Sequence, residues 1–560
     1  MEKSYIIIYQ SSEDTLREEL KKNGIDRLIV LNNQLGSIYT DEKFDESILN
    51  NISVISWWEN STPMSSLMEI TNNIKAGESV REASGSDFVY KNPYITSSGK
   101  NVIIVVLDSG IDYLHPDFIK KDGTTKIVSI WDQESKLGSP PEGCLFGTEF
   151  TRDDINKAIN ENNSNLSVDN IGTGTMAAGI SSGLGNLNSS YEGSAVDSEL
   201  LIIKLREYKD TYSKGKINYQ MSDFLAGIKY ALDVAKRENK IMIINLTVGE
   251  RCRAIIEATM LDSFTDLNKT GIVVVSGAGN EGNTDIHYEG KIESINAVQD
   301  IIIQVGNQTN LDITLCTNGP DKIAASLISP SGEMSYKVGY SPEYYVYKGK
   351  FNLEDTAYEM RFIYPWLQSG NQELIIKLIN IKPGIWTLRL MPEFIIGGTY
   401  DIYLPNKNLM SKDTRFIDPS SEATITLLAS VENVITVGAY NDKTDSIWIG
   451  SSKGPIRQRW IKPDIVAPGV DIIAPDNKNS YNTVTGTGVS SSITSGILAV
   501  IMEYVATQVK DVRLTLFTQV LKTYLMLGAT KKEIYTYPNI SQGYGNINLK
   551  ETMIQIANNI

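Results

Sequence analysis

The chain has 560 residues, more than one hydrophobic core ordinarily supports, so two or three domains are expected, each able to bury its own interior. Hydrophobic residues make up 41% of it and charged residues 21%, an ordinary globular balance. The 52 basic residues stand against 67 acidic ones for a formal charge of -15, and no Lys/Arg-rich block could track phosphates, so nucleic acid is excluded as a partner.

At the N-terminus the apolar run is too short for a secretory signal and no small-residue cleavage site follows it, so export by the general route is not expected. The chain then reads as a strand (residues 4–9), a helix (13–22), strands within 27–39, a helix (44–50) and a strand (52–58), an alternation that suits a small α+β unit over residues 1–62. Residues 63–100, rich in Ser, Thr, Gly and Asn, read as a linker.

From residue 101 the pattern changes to short apolar runs at 102–107, 200–205, 241–246, 272–275 and 434–437, separated by helical segments. Runs apolar on both faces predict a buried parallel sheet. Between two of them Ser222 is expected to cap a helix whose Phe224, Ile228, Leu232 and Ala235 share one face. The fold class is therefore α/β, with the sheet flanked by helices over residues 101–287 and 423–560. Residues 288–422 break the rhythm with short strand-like pieces and turn signals such as Asn-Gly-Pro and Lys-Pro-Gly, which predicts an inserted antiparallel β domain. The longest purely apolar stretch, about six residues, falls short of the roughly 20 that cross a bilayer, so no membrane span is expected.

Cys144, Cys252 and Cys316 lie far apart without C-x-x-C spacing, so neither a disulfide framework nor a zinc site is expected. Histidine occurs only at His115 and His287.

The chemistry-bearing motifs come in a fixed order. Asp108-Ser109-Gly110 closes the first body strand, at the carboxyl end where α/β folds build their sites. Gly172-Thr173-Gly174-Thr175 opens a helix, Ser276-Gly277-Ala278-Gly279-Asn280 follows a strand, and Lys462-Pro463-Asp464 leads to Gly486-Thr487-Gly488 at the start of a last apolar helix. This ordered set resembles the subtilases, whose pattern is D-S/T-G, then G-H-G-T, then an oxyanion-hole asparagine, then G-T-S. The resemblance covers residues 101–287 and 423–549. It implies that Asp108 is the triad aspartate and Asn280 the oxyanion donor, with Thr173 at the histidine position and Gly488 at the serine position.

Glycine has no atom with which to attack a carbonyl, and a threonine hydroxyl cannot accept a proton near neutral pH as imidazole does. No functional catalytic residue is therefore expected, and Asp108 and Asn280 persist as structural residues. His115 reads as a packing residue and His287 as a surface or boundary one, so neither replaces the base. Thr487 reads as a structural threonine, and Ser490, Ser491 and Ser492 as small residues that let a helix approach the sheet. Trp57, Trp58, Tyr340, Tyr344, Tyr345 and Trp366 read as packing rather than a ligand cleft.

In subtilases the N-terminal α+β unit is a propeptide that the enzyme cuts off. The resemblance implies that residues 1–62 here stay attached, with their tail in or near the cleft. A large β insertion, no export signal and an intact pro-segment are similar to the clostridial Csp germination proteases, whose insertion is a jelly roll; loss of both histidine and serine resembles the pseudoprotease members of that group. The resemblance implies control of spore germination in response to a bile salt. The implied partners are an active Csp-family protease and a second Csp pseudoprotease, acting on a cortex-lytic hydrolase. It further implies a place in the cortex or coat region of the spore, a chain monomeric by itself, and no cofactor or metal. The alternatives are a structural spore protein without a ligand and a residual serine-type peptidase.

Overall fold

The computed structural model describes residues 2–208, 216–252, 259–342, 345–366, 369–456, 460–508 and 515–559. At its centre the strand Val102–Asp108 pairs in parallel with Glu199–Lys204 on one side and Ile241–Leu246 on the other. These belong to a nine-stranded sheet that continues through Ile272–Gly277 and Ile435–Asn441 to one edge and through Ile127–Asp132 to the other. Side chains alternate across a strand. Val102, Ile104 and Val106 face the helices Thr173–Ser182 and Thr487–Gln508, whereas Ile103, Val105 and Leu107 face the helix Met221–Glu238. Covering both faces explains why the strands are apolar at every position.

Thr487–Gln508 is long and apolar enough by length and composition to cross a membrane, which its interspersed Ser, Thr and Gly hide from a search for unbroken apolar runs. In the structure 89% of its apolar window is buried inside the body. Ser222 does not cap its helix: the cap position falls on Gln220, and the Ser222 hydroxyl instead donates to Ser4 Oγ at 2.8 Å.

The N-terminal unit is a four-stranded antiparallel sheet, order Leu28–Val30, Leu35–Asp41, Glu2–Tyr9, Ile55–Asn60, with the helix Glu13–Lys22 capped by Ser12. The segment expected to be helical at 44–50 forms a 3₁₀ turn, Glu46–Asn51. One face of the sheet makes its own core, and Ile6, Ile29, Leu35 and Tyr39 join the core around Met221–Glu238. Polar contacts fix the docking: Tyr39 donates to Asp223 at 3.0 Å, and Arg206 pairs with Asp223 at 3.0 Å and Glu2 at 2.8 Å.

The insertion is a jelly-roll-like sandwich. Its chain alternates between a six-stranded antiparallel sheet bounded by His287–Lys291 and Val346–Phe351 and a four-stranded one bounded by Lys322–Ile328 and Arg415–Phe416. His287, expected at the surface or at a domain boundary, opens the first strand and is fully buried against Asp401 at 3.0 Å, its ring stacked on Tyr403 at 4.6 Å. The aromatics do not gather into one cleft. Trp57 meets Trp366 at 5.0 Å where the N-terminal unit touches the insertion, Trp58 lies in the N-terminal core, and Tyr340 and Tyr345 stand exposed on the insertion. Tyr344 lies outside the described residues.

Residues 63–100 are more ordered than a linker. They form strands at Pro63–Ser66 and Glu69–Ile70 and short helices at Val80–Ser84 and Asp87–Lys91. The strand partners lie far off in sequence, so no local periodicity announces them. The segment ends on a buried clasp in which Glu503 Oε2, on the central helix, accepts the amides of Ser98, Gly99 and Lys100 at 2.6, 2.7 and 2.9 Å. Replacing Glu503→Ala strands two buried donors and a part-buried one and is expected to destabilise the body by about 3 kcal/mol, whereas Glu503→Gln, which keeps the acceptor oxygen, costs less; urea unfolding of the two variants checks the order.

Candidate active-site cleft

Asp108 ends the central strand and is completely buried. Its Oδ1 accepts the Thr173 hydroxyl at 2.6 Å and the Ser109 amide at 2.7 Å, and its Oδ2 accepts the Thr247 hydroxyl at 2.5 Å. Thr173 opens its helix behind Gly172, which takes a left-handed φ of 100°. Because the Thr173 proton is committed to Asp108, Ser109 Oγ, 3.1 Å away, donates to Thr173 Oγ1 and accepts the Gly174 amide at 2.9 Å. A chain of hydroxyls thus fills the space beside the carboxylate, and no imidazole is hydrogen-bonded to it. Burial pushes the Asp108 carboxyl up to about 6, against the lowering effect of the Thr173 and Thr247 hydroxyls and the Ser109 amide.

The two histidines are engaged elsewhere. His287 sits in the insertion as described. His115 is buried, with Nε2 3.2 Å from the Ser480 carbonyl and Nδ1 accepting the Asp117 amide at 3.2 Å.

Gly488 is the second residue of the central helix and has no side-chain atom to offer. The neighbouring hydroxyls are occupied. Thr487 Oγ1 donates to Asn280 Oδ1 at 2.9 Å and accepts the Gly279 amide at 3.0 Å. Ser490 bonds the carbonyls of Ala467 and Pro468, while Ser491 and Ser492 both bond back to the Gly488 carbonyl. Asn280 also takes the Thr487 amide on Oδ1 at 3.0 Å.

What fills the cleft is the chain itself. Pro63–Ser66 inserts as an antiparallel strand between Tyr219–Gln220 and Val248–Gly249. Leu67 then donates its amide to the Thr247 carbonyl at 2.8 Å and accepts the Gly488 amide on its own carbonyl at 3.0 Å. Beyond it, Glu69–Ile70 pairs with Val484 and Thr485 on the opposite bank. A Cβ built on Gly488 would lie 3.2 Å from the Leu67 carbonyl carbon and 2.7 Å from Met68 Cγ. A Cβ on Gly486, itself at φ 143°, would come within 2.1 Å of the Leu67 oxygen. The geometry therefore points position 488 at the Leu67–Met68 peptide bond, while Met68 occupies the volume a side chain there would need. Leu67, Met68 and Thr247 were not legible as site residues in the sequence. Thr247 follows an apolar strand run, but nothing in its surroundings marks the contact with Asp108.

A strand-end aspartate, two helices starting on glycine-flanked turns and an antiparallel peptide slot define a protein of the subtilisin-like class. The chain belongs to the subtilase family, whose model matches residues 99–357 and 406–546. Among solved structures it is similar to the CspB protease of Clostridium perfringens, with a TM-score of 0.75 and 26% identity over 86% of this chain and 97% of that one. It is 22% identical over 85% of its length to a C5a peptidase of Streptococcus pyogenes and to a PIII-type proteinase of Lactococcus lactis. The chain spans only 41% of the first relative and 26% of the second.

Two outcomes follow from the cleft. Since folding raises the Asp108 carboxyl from its ordinary value near 4 to about 6, its contribution to stability is complete below about pH 4 and is lost as pH rises through 6. Relative to Asp108→Asn, which does not titrate, the wild-type chain is expected to lose about 3 kcal/mol between pH 4 and pH 7, measured by denaturant unfolding of both at each pH. Self-cleavage after Thr173→His with Gly488→Ser is expected to be slow because Met68 crowds the new hydroxyl, and at least about tenfold faster when Met68→Ala is added. Mass spectrometry should place the cut between Leu67 and Met68.

Proposed function

We propose that this chain is a catalytically inactive, subtilisin-like pseudoprotease of the CspC type, which works by binding and signalling. The carrying observation is the peptide slot: the Gly488 amide holds the Leu67 carbonyl, as an oxyanion hole holds a substrate carbonyl, yet no side chain at 488 can attack it. Thr173 supports the same reading, since its hydroxyl donates to Asp108 and is no base near neutral pH. With nucleophile and base both gone, only about 10³ to 10⁴ over the uncatalysed rate remains even in subtilisin itself. The N-terminal unit then stays covalently attached and its tail occludes the cleft, so foreign peptides are not its ligands.

On this reading the protein regulates spore germination. It responds to a bile-salt germinant and controls an active Csp-family protease, together with a second Csp pseudoprotease, so that the protease matures a cortex-lytic hydrolase. Its place is the cortex or coat region of the spore. A fold without chemistry can serve as a switch when a ligand or partner binds two of its states with different affinity. The likeness to the CspB protease supports the choice of pathway.

An active-site serine probe is expected to leave the pure protein unlabelled and its N-terminus intact; labelling, or spontaneous release of residues 1–67, would overturn the loss of catalysis. Calorimetric titration with a bile salt below its micelle-forming concentration is expected to give a saturable isotherm, and a flat trace would move the germinant response to a partner.

A further inference from the structure

The three domains meet around residues 60–63, and they leave an open cleft there. Each domain supplies part of the wall. Lys3 and Asn60 come from the N-terminal unit, Tyr208 from the α/β body, and Leu311, Lys377, Leu409 and Met410 from the insertion. Leu311 and Met410 are buried and Leu409 and Tyr208 half-buried, so one side of the cleft is apolar.

The charge distribution is uneven. Lys3 and Lys377 both line the cleft, and neither makes an ion pair within 4 Å or a side-chain hydrogen bond among the described residues. The acidic side chain in the wall is Asp312, which lies directly across the strands from Lys377, without an ion pair between the two. Among the described residues of the wall, two lysines thus stand against one aspartate, in a chain whose net charge is -15. Asn60 Oδ1 is buried without a hydrogen-bond partner, a place for a ligand's donor group. Two half-buried lysines beside a single aspartate leave an excess of positive charge that an anion complements.

We infer that this junction binds a small amphipathic organic anion, with its acidic group held between Lys3 and Lys377 and its apolar body laid over Leu311, Leu409 and Met410. Such a ligand touches all three domains at once and stabilises their present arrangement in proportion to its occupancy. The signalling reading supplies a purpose for the site; the site itself rests on its lining.

The probe is 8-anilinonaphthalene-1-sulfonate, titrated by fluorescence into the full chain. Saturable one-site binding is expected, weakened about tenfold or more by Lys3→Glu with Lys377→Glu and unchanged by Lys121→Glu at an exposed lysine away from the cleft. The uncharged analogue N-phenyl-1-naphthylamine should bind at least about tenfold more weakly than the sulfonate. Thermal unfolding of each variant shows whether it is folded, and each single lysine reversal serves if the double does not fold. Binding indifferent to the reversals, equal binding of the neutral analogue, or equal protection by inorganic phosphate alone overturns the proposal. Spores carrying the double reversal separate the two readings: loss of probe binding with unchanged germinant sensitivity keeps the site and sinks its signalling role. Probe binding that survives the reversals sinks the site and leaves the signalling reading untouched.

Discussion

The hydrogen bond from the Gly488 amide to the Leu67 carbonyl, 3.0 Å long, is the contact on which the arrangement of this molecule turns. It holds one peptide bond against the start of the central helix, and the strands on either side of that bond take their register from it. Upstream, Pro63–Ser66 completes a three-stranded antiparallel sheet with Tyr219–Gln220 and Val248–Gly249. Downstream, Glu69–Ile70 completes another with the strands Ile472–Pro475 and Tyr481–Thr485. Backbone donors and acceptors that would otherwise lie buried and unpaired in the cleft are satisfied by the chain's own segment. An open cleft would therefore expose or strand those groups.

The same region shows how a fully buried carboxylate is satisfied. A buried aspartate needs donors whatever its role, because an unpaired carboxylate at full burial is far costlier than a hydrogen-bonded one. Thr173, Thr247 and the Ser109 amide supply three. The threonine at 173 satisfies Asp108 from the helix start without presenting a base, and glycine at 488 leaves room that Met68 fills. Both residues are compatible with a close-packed interior, in which any volume must be filled or counted as a void.

Anchoring of the N-terminal unit follows from the same economy of contacts. It touches the α/β body through Tyr39, Glu2 and the apolar face shared with Met221–Glu238, and it touches the insertion through Trp57. The segment 63–100 then binds it to the cleft, and Glu503 secures the far end of that segment. Through the N-terminal unit the insertion and the body are joined by continuous packing. The insertion also touches the strand Pro63–Ser66 directly, where Asn406 donates to Ser65 Oγ at 2.9 Å and to the Gly249 carbonyl at 3.1 Å.

By itself the sequence determined the layered α/β body, the antiparallel insertion, the N-terminal sheet with its helix, and the residues at 108, 173, 280 and 488, because each leaves a local trace. Doubly buried strands read as unbroken apolar runs, glycine-flanked turns open helices, and an absent side chain is visible in the letter code. Helix caps and boundaries were less legible: Ser222 could have capped its helix, but a long-range bond to Ser4 claimed its hydroxyl. Only the tertiary structure decided that residues 63–70 form a strand through the cleft, that Leu67 and Met68 are the residues laid against Gly488, that Thr247 completes the shell of Asp108, and that His287 is buried. Each of these depends on partners more than a hundred residues away, and a pairing over that distance has no period or spacing that a reading along the chain could detect.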